Sequence, residues 1–224
     1  MAVRLFEDKE HAAEYVKLRV TPDEVVRKIV TLLEKRVALP AKLALDVGCG
    51  SGQGTVLLAP FFNQVVGTDI SPPSWSRPRQ CPAEELPFDS GTVDLVTSMT
   101  AAHWFDRPRF LEEVNRVLRP GGCLALLTYA MDMELEYGDV SHKLREICFE
   151  ARRTGSEEDH HVNGFIGLVH TFSAFRKFIE TKPQEAEEFS NRIRNKLLDA
   201  MQVSSPETEV TMVTKYFYWI ACKP

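Results

Sequence analysis

The sequence predicts an α/β fold in which a doubly wound, mostly parallel sheet is followed by a helical lid and a C-terminal antiparallel strand. Three observations predict this class. Short apolar, β-branched runs alternate with helix-like segments over residues 43–129. Helix-like segments alone then fill residues 130–205, and an aromatic, β-branched run occupies residues 207–223. Alternating strands and helices are typical of a parallel sheet that helices cover on both faces.

Length, composition and charge describe an ordinary globular chain. It has 224 residues, of which 44% are hydrophobic, and a net charge of −5. One domain over residues 1–224 is the simplest expectation, with a core at 43–129, a helical lid at 130–205 and a closing strand or hairpin at 207–223. The negative charge opposes binding to nucleic-acid phosphates and favours a small-molecule partner.

No membrane or export signal is visible. No apolar run approaches the ~18 residues that a spanning helix needs, and the first residues lack the apolar stretch of a signal peptide. We therefore expect a cytoplasmic protein that does not enter a membrane.

The cysteines indicate neither a disulfide framework nor a zinc site. Their number is odd and none has C-x-x-C spacing, which predicts reduced thiols. His160 and His161 are adjacent and would diverge by ~100° on a helix, so a shared metal ion is not expected. The five cysteines are Cys49, Cys81, Cys123, Cys148 and Cys222.

Capping and helix-breaking residues predict the helices. A capping box at residues 21–24 begins a helix that Pro40 stops, and Asp106 caps another that ends at residues 119–122. A helix of about ten residues is expected to end near Pro60. Later helices are expected at residues 141–153, 164–180 and 183–201, the last with Thr181 as its N-cap.

β-branched and apolar runs predict four strands, at residues 43–47, 64–70, 93–99 and 123–129. Residues 71–82, between the second and third of these, contain four prolines. A parallel crossover needs a dozen or more residues, which are usually helical, so this segment has no room for a helix and a full strand. At most a strand stub near residues 77–81 is expected.

The most informative stretch is residues 43–54, an apolar run that carries Asp46 and is followed by glycine at every second position. Glycine permits positive φ and close approach of the backbone to a ligand. In open α/β sheets, ligands lie at the carboxyl ends of the strands. The dinucleotide pattern G-x-G-x-x-G fails here, because Gln53 or Thr55 stands where the third glycine would be.

An acid two residues before G-x-G-x-G resembles the first motif of the class I S-adenosylmethionine-dependent methyltransferases. Further matches follow in order: Asp69 at the end of the second strand, a loop at 83–88 similar to the one beside the adenine, residues 101–105 after the next strand, and Leu-Arg-Pro-Gly-Gly at 118–122. The resemblance implies a Rossmann-like fold with S-adenosylmethionine as cofactor.

A narrower likeness is to the methyltransferase type 11 and trans-aconitate methyltransferase-like subgroup. It rests on Tyr15, Arg19 and the segments 171–175 and 216–218. It implies a small-molecule methyl acceptor, with a carboxylate as one candidate. A carboxylate needs no general base, whereas a hydroxyl, thiol or amine does.

The resemblance also implies roles for individual residues. An ionised acid such as Asp69 suits hydrogen bonds from both ribose hydroxyls, while the side chain of Cys49 is expected to be a small filler and not a nucleophile. His103 is the expected catalytic base, and Tyr15, Arg19 and Trp104 are expected at the acceptor site. The expected cofactor-binding residues are Asp46, Gly48, Cys49, Gly50, Gly52, Asp69, Ile70, Ala83, Glu84 and Thr100.

Two alternative functions stay open. Residues 71–82 and 153–162 are short relative to the family's pattern, which also fits a folded, non-catalytic binding or regulatory protein. A nicotinamide oxidoreductase is the other alternative, and Gln53 in place of the third glycine argues against it. The identity of the acceptor and the oligomeric state are not fixed by the sequence.

Overall fold

The computed structural model describes residues 23–71, 79–129, 134–151, 162–170 and 173–224. Tyr15, Arg19, His160 and His161 lie outside the described residues. The chain divides into two compact units. The described part of the first unit comprises residues 23–71, 79–128 and 216–224, and the described part of the second lies between 129 and 215. The expected single domain over residues 1–224 stays a prediction.

A six-stranded sheet forms the centre of the first unit, with the strands β1 (Ala41–Val47), β2 (Phe62–Asp69), β3 (Arg79–Gln80), β4 (Val93–Met99), β5 (Leu118–Tyr129) and β8 (Tyr216–Cys222). Their order in the sheet is β3-β2-β1-β4-β5-β8. The pairs β1–β2, β1–β4, β2–β3 and β4–β5 are parallel. Strand β8 runs antiparallel to β5: the Gly121 N–H donates to the Lys223 carbonyl, and the Lys223 N–H donates to the Gly122 carbonyl. This arrangement confirms the predicted Rossmann-like sheet.

Helices cover both faces of this sheet. Ala44 of β1 belongs to the apolar cluster of helix α1 (Asp23–Glu34), and the next residue, Leu45, belongs to the cluster of helix α3 (Arg107–Val117). Successive side chains of a strand point to opposite faces, so a strand buried on both faces reads as a continuous apolar run. That is the signal by which residues 43–47 and 93–99 could be recognised as strands.

Several local predictions are confirmed in the first unit. Strand β4 has the predicted bounds, and β3 is a two-residue stub at the edge of the sheet. The Asp106 carboxylate accepts the Arg109 N–H and caps α3. Other bounds were wrong. Helix α2 (Gln53–Leu58) has six residues and continues as a 3-10 turn, and β5 already begins at Leu118 because the chain becomes extended directly after Val117.

The second unit contains four helices and a two-stranded antiparallel sheet in its described part. Strands β6 and β7 pair with each other, so β7 and β8 belong to different sheets and do not form a hairpin. Leu144, Phe165, Phe175 and Leu197 are fully buried in the core of this unit. Its elements are β6 (Glu134–Glu136), α4 (Ser141–Ala151), α5 (Val162–His170), α6 (Ser173–Thr181), α7 (Pro183–Met201) and β7 (Thr211–Val213).

The helix predicted at residues 164–180 overlaps two helices of the described chain, α5 and α6, and residues 171–172 lie outside the described residues. The rings of His170 and Phe175 stack with centroids 5.0 Å apart. Thr181 is not the N-cap of α7. It ends α6, its hydroxyl donates to the Lys177 carbonyl, and Pro183 begins α7 without a side-chain cap.

Cys123 and Cys222 form a disulfide, so the prediction of five reduced thiols was wrong for this pair. They are 99 residues apart in sequence, and the antiparallel pairing of β5 with β8 brings them together. Cys49, Cys81 and Cys148 take part in no disulfide among the described residues. Among the described residues, no helix is long and apolar enough to cross a bilayer.

Candidate functional site

The candidate site begins at the turn that follows β1, at the carboxyl edge of the sheet. The N–H groups of Gly48 and Cys49 both donate to the carbonyl of Thr68 on β2, over 2.8 and 3.0 Å. Gly48, Gly50 and Gly52 all have positive φ, a conformation that glycine adopts at no steric cost. The turn is therefore fixed against the end of β2, with its backbone at the edge where open α/β sheets bind ligands.

Two glycines of this turn have different surroundings. A Cβ atom at Gly48 would lie 2.5 Å from the Cβ of Ala101 and 3.0 Å from the ring of Phe105. A Cβ atom at Gly50 would have no neighbour within 4 Å. Gly48 is required for packing between the turn and the segment after β4, whereas Gly50 presents an open backbone face that a ligand can approach.

Asp69, at the end of β2, is bound to this turn. Its Oδ2 accepts the Gly50 N–H over 2.8 Å, and its Oδ1 accepts the Ser71 N–H over 2.9 Å. A carboxylate has about four lone-pair sites, so each oxygen can accept one more hydrogen bond. The orientation of the carboxylate is thus fixed while it remains able to bind hydroxyl donors. Ile70 lies next to β3, where its carbonyl accepts the side-chain amide of Gln80.

Asp46 lies beneath the glycine turn, and only 1% of it is exposed. Its Oδ2 accepts the hydroxyl of Thr55 on α2 over 2.7 Å, and its Oδ1 accepts the hydroxyl of Thr97 on β4 over 3.0 Å. Burial raises the pKa of this carboxyl, against the two threonine hydrogen bonds, and the charge of Asp69 raises it further. Asp46 therefore joins β1, α2 and β4 at the base of the site.

Cys49 is a filler in this turn. A Cβ atom on Gly67 would lie 2.8 Å from the Cys49 sulfur, so the thiol packs closely on β2. Burial first, and then the charges of Asp46 and Asp69, raise the pKa of the thiol far above its ordinary value of 9.0. A thiol that stays protonated is not a nucleophile.

The segment after β4 supplies the other side of the site. Thr100 has φ +64° and its N–H donates to the carbonyl of Leu127. Positive φ is unusual for a β-branched residue, and such conformations concentrate at functional sites. A 3-10 turn follows, on which the rings of His103 and Trp104 lie with centroids 4.9 Å apart. Trp104 is 53% exposed, so an apolar surface is available beside the imidazole.

The loop at residues 83–88 is attached to α3. Ala83 is buried, and Glu84 accepts the Asp106 N–H over 2.7 Å, so the loop after β3 is joined to the segment after β4. Further along the loop, Glu113 and Arg116 of α3 bind its backbone. Sequence reasoning missed both residues. Their i, i+3 spacing resembles an ordinary surface ion pair on a helix.

Sequence reasoning also missed the role of Asp94, which lies at the opposite edge of the sheet. One of its oxygens accepts the N–H groups of Lys42 and Leu43, each over 2.8 Å, and the other accepts Arg119 Nε. Only 1% of this residue is exposed. A buried carboxylate with three donors is structural, and here it ties the beginnings of β1, β4 and β5 together.

Residues 45–126 match the family model described as a methyltransferase domain. This segment is a methyltransferase domain. It extends from β1 into β5 and includes Asp46, the glycine turn, Asp69, Thr100 and the Glu113–Arg116 pair. The match confirms the family predicted from the motifs, for which S-adenosylmethionine is the cofactor. It does not test the narrower trans-aconitate-like subgroup.

Curated relatives carry the same assignment. A Dictyostelium discoideum protein named as a methyltransferase is 34% identical over 136 residues, which is 56% of this chain and 51% of that protein. A malonyl-[acyl-carrier protein] O-methyltransferase from Herminiimonas arsenicoxydans is 28% identical over 63% of this chain and 58% of its own length. The chain spans about half the length of the first curated relatives it matches.

A solved structure confirms the fold over most of the chain. It is described as a type II methyltransferase from Anaeromyxobacter dehalogenans and has a TM-score of 0.67. The alignment covers 91% of this chain and 97% of the other, at 22% identity. At that identity the likeness concerns the fold, and function is argued from the site.

The methyltransferase domain has features that fit the family's cofactor. The open face of Gly50 lets a ligand contact the backbone, and the adjacent Asp69 carboxylate has free acceptor capacity for two hydroxyl groups. The Asp46 carboxyl, whose pKa is raised by burial, lies beneath the turn. Among the described residues, no three His, Cys, Asp or Glu side chains gather into a metal-binding group.

Proposed function

We propose that this chain binds S-adenosylmethionine at the glycine turn and transfers its methyl group to a small molecule. The observation that carries the proposal is the pairing of Gly50 with Asp69: an open glycine face lies beside a carboxylate that the same glycine holds in place. This combination suits a ligand with a ribose. The two vicinal hydroxyls can donate hydrogen bonds to the carboxylate, and the absence of a side chain at Gly50 lets the ligand contact the backbone.

The residues of the chain have distinct roles in this proposal. Asp69 accepts the ribose hydroxyls, residues 48–52 contact the cofactor through their backbone, and Ala83, Glu84 and Thr100 form further walls. The cofactor, when bound, supplies an activated methyl group on a sulfonium with a neutral leaving group. The chain's remaining task is to hold an acceptor atom in line with that methyl group, which is catalysis by positioning.

We propose an oxygen nucleophile as the acceptor, with a carboxylate as the first candidate. One relative is named as an O-methyltransferase that acts on malonyl-[acyl-carrier protein], which supports an oxygen acceptor. A carboxylate is ionised at neutral pH and needs no base. For a hydroxyl acceptor, His103 is the proposed base, with Trp104, Tyr15 and Arg19 at the acceptor site.

Calorimetric titration with S-adenosylmethionine and S-adenosylhomocysteine tests cofactor binding. Gly50→Ala places a methyl group in the open face at φ +49°, and Gly91→Ala is its matched control, since Gly91 also has positive φ and no neighbour within 4 Å of an added Cβ. Both substitutions strain a turn by about 1 kcal/mol, but only Gly50→Ala is expected to abolish binding. Absence of binding to the wild-type protein, or equal binding by both variants, contradicts the proposal.

Methyl transfer is then tested with small carboxylic acids, hydroxyl compounds, thiols and phenols. We expect an ester product from at least one carboxylic acid. A protein that binds the cofactor tightly and methylates none of these classes would favour the non-catalytic alternative, because the cofactor site would then serve binding alone.

A further inference from the structure

The loop at residues 83–88 receives little support from the sheet. Strand β3, which precedes it, has two residues, paired with Thr68 and Asp69 of β2. A two-residue edge strand contributes few ladder hydrogen bonds. The loop nevertheless begins beside Asp69, since the Cys81 N–H donates to the Asp69 carbonyl over 3.2 Å. Its position must therefore be fixed by other contacts.

Those contacts come from a Glu113–Arg116 pair on α3. The Arg116 Nη1 donates to the Phe88 carbonyl over 2.8 Å, and its Nη2 donates to the Leu86 carbonyl over 2.8 Å. The Leu86 N–H donates to Glu113 Oε1 over 2.7 Å, so the pair satisfies both backbone groups of Leu86. The guanidinium also makes a two-point contact with the Glu113 carboxylate, over 2.6 and 2.7 Å. Such fork-shaped contacts are strong and fix geometry.

The same loop is attached a second time near its start. Glu84 Oε1 accepts the N–H of Asp106, the residue that caps α3. Between the two attachments lies the short stretch from Glu84 to Leu86, whose side chains include the buried Leu86. The arginine hydrogen bonds lower the pKa of the Glu113 carboxyl, so it is ionised at neutral pH. A charged pair on one helix thus holds the backbone of Leu86 and Phe88, while Arg79 Nη1 donates to the Pro87 carbonyl over 2.9 Å.

We propose that Glu113 and Arg116 are positioning residues for the cofactor site, which hold the 83–88 loop as a wall of the pocket in place of a longer third strand. This role rests on the proposed function. Neither residue touches the reacting atoms. Without this pair the 83–88 loop is expected to be less ordered in the cofactor-free protein. Cofactor binding would then have to order the loop, and the entropic cost would lower the affinity.

The chain offers a matched control for the substitution Arg116→Gln. Arg119 is also a partly exposed arginine that pairs with a carboxylate, that of Asp94, and the exposed side-chain fractions are 38% for Arg116 and 36% for Arg119. Arg119→Gln removes an ion pair at the opposite edge of the sheet, away from the loop. Glu113→Gln is a milder change, since its single amide oxygen can still accept the Leu86 N–H, while the charge and the second acceptor for Arg116 are lost.

Two measurements test the role: the affinity for S-adenosylhomocysteine by calorimetry, and hydrogen exchange of the amides of residues 83–90 in the cofactor-free protein. Arg116→Gln is expected to weaken binding by about tenfold or more and to accelerate exchange in the loop, with a smaller effect for Glu113→Gln. Arg119→Gln is expected to lower thermal stability while loop exchange and affinity stay at the wild-type level.

Three results overturn the role. Wild-type affinity in Arg116→Gln shows that the loop is not a wall of the site, and unchanged loop exchange shows that the pair does not hold it. Equal losses of affinity in the two arginine variants indicate a general loss of stability. If the wild-type protein does not bind S-adenosylhomocysteine, the proposed function itself fails, which the exchange measurement distinguishes from a failure of the loop attachment.

Discussion

Asp46 and Thr97 are register partners on the parallel strands β1 and β4, and the Thr97 hydroxyl donates to Asp46 Oδ1 over 3.0 Å. A side-chain hydrogen bond therefore accompanies the backbone pairing directly below the glycine turn. It is made to a carboxyl group whose burial raises its pKa, so the protonation state of this group is coupled to folding.

The free energy of unfolding is predicted to depend on the protonation of Asp46. Because its folded-state pKa lies above the ordinary value of 3.8, the folded protein holds the proton more tightly than the unfolded chain. Its contribution to stability is present below pH 3.8 and is lost as the pH rises through the folded pKa. Urea denaturation at several pH values should show wild-type stability falling relative to Asp46→Asn as the pH increases. If the wild-type protein instead became more stable relative to Asp46→Asn as the pH increases, the assignment would be contradicted.

Asp69→Asn is predicted to weaken S-adenosylhomocysteine binding by about tenfold or more. The amide has a single acceptor oxygen, so it cannot accept from Gly50 and Ser71 through separate oxygens and also bind two hydroxyls. Calorimetry measures the loss. Asp89→Asn, in the exposed turn before β4, is the control and should bind as the wild-type protein does. Equal affinity of Asp69→Asn and wild type would remove Asp69 from the site.

His103→Ala is predicted to act on the methyl-transfer rate in a way that depends on the acceptor. With a hydroxyl acceptor, loss of a general base should lower turnover by about 10²-fold or more, whereas a carboxylate acceptor should react at the wild-type rate. Cofactor affinity should not change in either case. His142→Ala, an exposed histidine of the second unit, serves as the control. Unchanged turnover with a hydroxyl acceptor would exclude His103 as the base.

Stability of the second unit is predicted to fall on mild acidification because of His170. Its Nε2 lies 2.8 Å from the Ser190 hydroxyl. Burial lowers its pKa below 6.5, and the charges of Arg194 and Arg176 lower it further. Below pH 6.5 the unfolded chain binds a proton that the folded unit does not, so stability decreases as the pH falls towards the folded pKa.

His170→Phe should flatten this dependence, since phenylalanine keeps the stacking on Phe175 and does not titrate. Thermal unfolding between pH 5 and 8 measures the slope. A slope that persists in His170→Phe would assign the dependence to other groups.

Gly54→Ala and Gly122→Ala are both predicted to lower stability, but a second substitution is expected to restore it only for Gly54→Ala. An added Cβ at Gly54 would collide with the flexible thioether of Met99, and one at Gly122 would lie 2.8 Å from the backbone carbonyl of Val93. Each alanine variant should lose about 1–3 kcal/mol. In a Met99→Ala background the Gly54→Ala cost should fall, because only the contact with Asp46 Oδ2 at 3.2 Å is left and alanine is otherwise favoured in helix α2, while the Gly122→Ala cost should stay. Denaturation of the double-mutant cycles measures both.

Much of the candidate site could be predicted from short sequence patterns. Asp46, the glycine turn and Asp69 stand at the ends of apolar runs, and parallel strands place their carboxyl ends at one edge of the sheet. Asp106 and Pro108 marked the start of α3 because capping is a local interaction. Each of these signals lies within a few residues of the feature that it predicts.

The remainder depends on contacts between distant parts of the chain. Arg116 binds the carbonyls of Leu86 and Phe88, 30 and 28 residues away, and no periodicity in the sequence reports such a pair. The disulfide between Cys123 and Cys222 likewise depends on the pairing of β8 with β5, two strands that are far apart in sequence.

The order of the strands allows the segment between β5 and β8 to vary in sequence and length. Residues 129–215 leave the central sheet at the end of β5 and return to it at the start of β8, and these two strands are antiparallel neighbours. The segment between β5 and β8 is therefore an insertion between adjacent strands, and the Cys123–Cys222 disulfide joins those strands covalently. Replacement of the insertion leaves the order of the parallel strands unchanged, so the part of the chain that carries Asp46 and Asp69 can be inherited with different inserts.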